Sequence, residues 1–333
     1  MLSRYSYLLI LNIIFFIPEA KTQKIHGVCT VAPKYQVIDE YFDPIININA
    51  NWIAVVPYAF CDPKNPLVIF NHPRQWQGEK PNGIIKTIQL AKQRGLKVLI
   101  KPHLWVKGQG WAGDLIFDSN KELLTWQKSY KEYLLKYSHI ADSMDVEMIS
   151  IGTELKKLIV KDEPFWVDLI CDIRNIYNGD LTYSANWDNY ENVSIWDQLD
   201  YVGIDAYFPV NEKQSPSVEE VKKSFRPVKE KLSRFSEVTE KPILFTEFGF
   251  RSIDHCANGH WIGDYENGGI NLECQQNAYQ GLFLSFWNEQ WFAGGFIWKW
   301  FFKNNEAGGP SNDKFTPQNK SAIGIISSQF AVD

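Results

Sequence analysis

Two apolar runs in this chain of 333 residues end in a carboxylate. Glu147-Met-Ile-Ser-Ile-Gly-Thr-Glu154 and Pro242-Ile-Leu-Phe-Thr-Glu247 each read as a short buried strand closed by threonine and then glutamate. Packing does not ask for a charge at such a position, because burying an ionised group without a partner is costly. Two carboxylates converging from separate strands are the equipment for cleaving a glycosidic bond. One protonates the departing oxygen, and the other attacks or shields the anomeric carbon as positive charge develops there. The pair must hold opposite protonation states, which mutual repulsion and unequal burial supply. The competing structural reading is that Glu154 and Glu247 cap helices or pair with Lys156 or Arg251. Two such coincidences at equivalent strand ends weigh against it.

Composition narrows the ligand class. With 45% hydrophobic and 22% charged residues the chain can bury a large core. A net charge of −5 argues against nucleic acid as a partner and suits a neutral or weakly charged substrate. Thirteen Trp and fifteen Tyr are many; most belong in the core, but flat faces at strand ends also stack on sugar rings. A metal-dependent hydrolase would carry a His-x-His on its first strand, whereas Gly27 to Val31 has no histidine and the chain has six in all. No cysteine pair has metal-site spacing. No metal and no cofactor are expected. Among the five cysteines, Cys256 and Cys274 flank a Gly-rich loop and are placed to pair, Cys29 and Cys61 border neighbouring strands, and Cys171 is expected on an apolar helix face.

The elements that must position these residues alternate between strand and helix. Eight strands are expected at Gly27–Val31, Trp52–Pro57, Lys97–His103, Met148–Thr153, Leu181–Ala185, Tyr201–Ala206, Pro242–Thr246 and Gly295–Trp298. Runs such as Val98-Leu99-Ile100 suit a parallel sheet covered on both faces. Between them, Asn82–Arg94 shows helical spacing and ends at Gly95. Ser119 with Glu122 and Ser217 with Glu220 have capping-box spacing, Pro164 opens another helix, and Leu272–Phe286 forms the last long one. Pro227 is expected to kink or restart the helix that begins at Ser217. No Gly-rich phosphate loop follows the first strand, so a closed (β/α)8 barrel fits better than an open doubly wound sheet. No linker or repeat divides the chain, and one domain over residues 21–333, acting as a monomer, is the expectation.

Residues 1–20 read as a secretory signal peptide: Arg4, the apolar run Leu8 to Ile17 broken only by Asn12, then Pro18-Glu19-Ala20. The run is too short for stable membrane insertion, which takes roughly 20 apolar residues. A secreted or periplasmic location follows as an expectation.

The stretches Ile151-Gly-Thr-Glu154-Leu, Leu181-Thr-Tyr-Ser-Ala-Asn-Trp-Asp188, Asp200-Tyr-Val-Gly-Ile-Asp-Ala-Tyr207, Ile243-Leu-Phe-Thr-Glu247-Phe-Gly and Gly294-Gly-Phe-Ile-Trp-Lys-Trp300 resemble glycoside hydrolase family 113. The resemblance runs from about Gly27 to Trp300 and implies a (β/α)8 retaining glycosidase with endo-β-1,4-mannanase activity on a β-linked polysaccharide or oligosaccharide. It implies Glu154 as general acid/base and Glu247 as nucleophile. Many members of the wider clan carry Asn before the acid/base, where this chain has Thr153. Tyr207 after the sixth strand is expected to orient the nucleophile, and Trp298 on the eighth resembles the clan's sugar platform. His103 and Trp105, and Asn186 and Trp187, are candidate sugar-binding groups; Tyr58, Trp76 and Trp111 sit in loops that can line outer subsites. Asp205, inside an apolar run, needs a partner such as Lys101 or Lys299 if it does not meet substrate. Two other readings stay open: a β-glycosidase of different sugar specificity, and a non-catalytic carbohydrate-binding protein on the same barrel. The second typically loses one carboxylate, and this chain keeps both.

Overall fold

The computed structural model describes residues 23–109, 111–259 and 269–332. The expected signal peptide therefore lies outside the described residues. Eight strands close into a barrel: β1 (Ile25–Thr30), β2 (Trp52–Val55), β3 (Lys97–Ile100), β4 (Met148–Thr153), β5 (Asp180–Asn186), β6 (Val202–Asp205), β7 (Ile243–Phe248) and β8 (Phe292–Trp300). Each pairs in parallel with the next, and β8 pairs with β1. Around them run α1 (Pro81–Gln93), α2 (Asn120–Ser143), α3 (Glu163–Arg174), α4 (Val218–Thr239), α5 (Leu272–Phe286) and α6 (Ala322–Phe330). After β1 the chain makes only a 3-10 turn at Asp39–Phe42 and the one-turn helix Asp43–Ile46, and after β5 only 3-10 turns at Tyr190–Asn192 and Trp196–Gln198. Both expected capping boxes form at Ser119 and Ser217.

Alternation along the strands sorts the side chains into two cores. Ile25, Cys29, Trp52, Ala54, Leu99, Met148, Leu244 and Phe296 fill the barrel interior, while Val28, Ile53, Val55, Val98 and Ile100 face the helices. Closure between β8 and β1 depends on Gly294, whose φ is +113°; a Cβ there would stand 2.3 Å from the Ile25 carbonyl oxygen.

Three expectations are corrected. The second and third strands stop short of Pro57 and Pro102, which have no N–H for the ladder. Beyond the prolines the chain resumes as a separate three-stranded sheet above the barrel. In it His103–Val106 pairs in parallel with Tyr58–Asp62, which pairs antiparallel with Asn65–Ile69. Helix α4 runs through Pro227 without restarting, because that proline is exposed and water can serve the carbonyl it leaves free. Cys171 is exposed on α3 rather than on its apolar face. Cys256 and Cys274 do pair, with Cα atoms 6.0 Å apart, tying the loop after β7 to α5.

Candidate active site

Both glutamates reach one cavity of about 220 Å³ at the C-terminal mouth of the barrel, where sites on this architecture are built. Neither arrives by regular strand geometry. The pairing of β4 with β5 slips between Ser150 and Thr153, and that of β7 with β6 slips between Phe245 and Glu247. Irregularities of this kind re-aim the next side chain. Leu244 points into the barrel and Phe245 outward, so strict alternation would turn Glu247 away from the site. Glu154 sits at φ 50°, in the left-handed region that a non-glycine residue rarely adopts. Its N–H donates to the Ser184 carbonyl at 2.8 Å, which fixes that conformation.

The helix-capping and surface-pairing readings of the two glutamates fail on their named partners. Lys156 pairs with Asp188 at 2.6 Å and Arg251 with Asp313 at 2.8 Å. Glu154 instead accepts the Trp111 indole N–H at 2.5 Å. Burial, and then the negative charge of Glu247, push its carboxyl up to about 7, against the opposing pull of the Trp111 hydrogen bond. Burial would raise Glu247 as well, but the Lys101 ammonium and the His103 ring hold its carboxyl down to about 2. Lys101 donates to Glu247 Oε1, His103 Nε2 lies 3.3 Å from the same oxygen, and Tyr207 donates its hydroxyl to Oε2 at 2.7 Å. Burial and the neighbouring Lys101 charge lower the His103 pKa, which favours a neutral ring.

Two similar carboxylic acids are thus biased in opposite directions by their surroundings. One keeps a proton near neutrality; the other is an anion with three polar neighbours. Such a pair can deliver a proton to one side of a bond and a nucleophile or counter-charge to the other.

Tyr58, His103, Trp105, Tyr207 and Trp298 all line the cavity. The His103 ring lies flat against Trp298, with centroids 5.8 Å apart and planes at 11°, so the indole is braced from the side of the upper sheet. Trp105 is 51% exposed at the rim. Three expected contacts are not among the lining residues. Asn186 is folded onto its own loop, donating to Asp188 at 3.0 Å and accepting from the Trp187 N–H at 3.0 Å. Trp187 packs edge-on against Phe208. Asp205 is fully buried beneath the site, where Oδ2 lies 3.1 Å from Lys101 Nζ and Oδ1 accepts from Thr246 at 2.7 Å. It supports Lys101, and no sugar can reach it. Thr153 spends its hydroxyl on the Pro102 carbonyl at 2.9 Å.

Lys101, which the sequence offers only as a partner for Asp205, also holds Glu247. Its signal was a lysine closing the run Val98-Leu99-Ile100: Leu99 faces the barrel interior, and two residues on the same face recurs. Phe315, packed edge-on against Tyr207 and lining the cavity, comes from a loop with no periodic pattern to find it by. Among the described residues no group of three His, Cys, Asp or Glu is placed to hold a metal ion, and no helix is long and apolar enough to cross a membrane.

Comparison with known proteins identifies the family and a shared fold. The model of Glycoside Hydrolase Family 113 matches residues 36–320. A family 113 β-mannanase of Alicyclobacillus acidocaldarius superposes with a TM-score of 0.77 at 24% identity, over 93% of this chain and 98% of that one. A second family 113 β-1,4-mannanase gives 0.79 at 23% identity, over 94% and 100%. A family 5 mannosidase from Rhizomucor miehei gives 0.65 at 9% identity, over 94% of each chain. At such identities the likeness is one of fold. A search of the curated proteins found no match.

Proposed function

Because the chain belongs to glycoside hydrolase family 113, we propose that it is a retaining endo-β-1,4-mannanase in which Glu154 is the general acid/base and Glu247 the nucleophile. The observation that carries this reading is the opposite bias of the two carboxyls on one cavity. In the first step Glu154 gives its proton to the glycosidic oxygen while Glu247 attacks the anomeric carbon, forming a glycosyl ester. In the second, Glu154, now a carboxylate, takes a proton from water as that water displaces Glu247.

The surroundings suit these roles. Tyr207 and Lys101 orient the Glu247 carboxylate, and both hydrogen bonds weaken as its charge is spent in the ester. Trp298, with His103 behind it, offers a flat apolar face beside the reacting sugar. The printed names of two structural neighbours, both β-mannanases, support mannan as substrate. We propose further that the enzyme is exported by way of residues 1–20 and acts on polysaccharide outside the cytoplasm.

The deciding experiment is NMR of the first-formed product on β-1,4-mannan, beside β-glucan and xylan. The β-anomer should appear before mutarotation, and mannan should be cleaved fastest. A first-formed α-anomer removes Glu247 from the nucleophile's role, and no cleavage of any β-linked polymer removes the hydrolytic reading.

A further inference from the structure

A second cavity, of about 500 Å³, lies beside the first, between the loop after β1 and the segment after β8. Their linings share no residue but meet at consecutive positions of β8, Trp298 lining the smaller and Lys299 the larger. Its charge is unlike that of the chain as a whole. Lys34, Lys299, Lys303 and Lys314 line it, with Glu306 as the one acidic residue of the lining, whereas the whole chain carries a net −5.

Pairing explains two of these four lysines and leaves the other two. Lys303 is neutralised by Glu306 at 2.9 Å, and Lys314 reaches Asp313 at 3.2 Å. Lys34 lies 4.8 Å over the Trp76 ring and has no ion pair with any described residue. Lys299, half-buried, makes neither a hydrogen bond nor an ion pair with any described residue, and sits 5.5 Å from the ring centres of both Trp298 and Phe301. Burial lowers its pKa and the Lys314 charge lowers it further, against the pull of Glu247. A partly desolvated ammonium that shares a cavity with other ammonium groups is stabilised by an anion among them. The walls are otherwise sugar-like in their demands: Tyr35, Trp76 and Phe301 supply flat apolar faces.

We propose that this cavity is a subsite for a sugar residue bearing a negative charge, so that the enzyme selects polysaccharide carrying acidic groups next to the bond it cleaves. A neutral mannosyl residue would stack on the aromatic walls and leave the lysines facing water. A residue with a carboxylate or sulfate ester would place the charge among Lys34, Lys299 and Lys314. This inference rests on the hydrolytic reading above only for the position of the charge relative to the cleaved bond.

The test digests β-1,4-mannan in which a small fraction of the C6 hydroxymethyl groups has been oxidised to carboxylates, and sequences the products by tandem mass spectrometry. Carboxylated residues should be enriched at one fixed position from the newly formed end by about threefold or more, the scale of one partly exposed ion pair. In the variant carrying Lys34→Gln, Lys299→Gln and Lys314→Gln the enrichment should vanish, and Lys303→Gln alone should leave most of it, because Glu306 already neutralises that charge. A random or depleted distribution, or enrichment that survives in the triple variant, overturns the proposal. A parallel digest of lightly sulfated mannan separates the sources: enrichment of both groups assigns the cavity to anions in general, and of one alone to that group. If no mannan is cleaved, the proposed function fails by itself. The subsite is then decided by calorimetric titration with oxidised and neutral mannohexaose, where tighter binding of the oxidised chain sustains it and equal binding overturns it.

Discussion

Lys101, fully buried at the end of β3, donates to Glu247 Oε1 while its other carboxylate partner, Asp205, stands 3.1 Å away. One cation thus serves two buried acids. Burial and the Glu247 charge raise the Asp205 pKa well above the usual range, with Lys101 opposing them. Lys101→Met should therefore leave two carboxyls competing in a dry site and destabilise the protein by about 3–5 kcal/mol, as removal of one partner from a buried pair does. Adding Asp205→Asn to the same chain should restore part of that loss, because the remaining charge is then Glu247 alone. Thermal unfolding of the single and double variants checks this; a double variant less stable than Lys101→Met would show that Asp205 does not depend on Lys101.

The division of labour between the glutamates has its own signature. Glu247→Ala should abolish turnover, and azide should restore it by attacking the anomeric carbon where the carboxylate is missing. Glu154→Ala should slow polysaccharide hydrolysis by about 10²–10⁴, the usual worth of general acid catalysis. Aryl glycosides with good leaving groups need little protonation and should suffer far less. Kinetics on the two substrate classes check the assignment, and equal losses on both would count against Glu154 as the acid.

The barrel was legible because its strands are covered on both faces and read as short apolar runs at regular spacing. The two glutamates were legible because a charge ending such a run has no packing purpose. What the sequence hid was hidden for physical reasons. The sheet holding His103 depends on two prolines acting at the same level of adjacent strands, and nothing in either strand alone announces it. Asn186 reads as a ligand because polar residues at strand ends usually are, whereas in the structure it bonds within its own loop; for Asp205 the sequence leaves substrate contact and pairing with Lys101 both open, and the structure shows the pairing. Helix α6 has no cap that a side chain supplies, and it is held by packing; its Phe330 ring stacks on His26 from the other end of the chain, 4.6 Å away.

Export carries a separate expectation. If residues 1–20 are a signal peptide, mass spectrometry of protein made in its native host should find a mature N-terminus between about Ala20 and Lys24. Material retaining Met1 in the exported fraction would refute cleavage.

The pH dependence follows from the two biased carboxyls. The reactive form has Glu247 ionised and Glu154 protonated. Glu247, held down to about 2, is ionised above that pH; Glu154, pushed up to about 7, keeps its proton below that pH and loses it above. The rate at low substrate, kcat/KM, should therefore be flat through the mildly acidic range and fall about tenfold per pH unit on the alkaline side of 7. Trp111 gives this limb a handle. Its indole N–H donates to Glu154 at 2.5 Å and favours the carboxylate, so it lowers the pKa that burial and Glu247 raise. Trp111→Phe removes the donor and keeps an apolar ring in place. Glu154 should then hold its proton to higher pH, moving the alkaline limb upward by about half to one unit, the equivalent of one hydrogen bond. Lost stacking on sugar would raise KM at every pH and cannot by itself move the midpoint. An alkaline limb that stays in place in Trp111→Phe would mean that the group titrating there is not Glu154, and one that moves downward would mean that the indole does not stabilise the carboxylate.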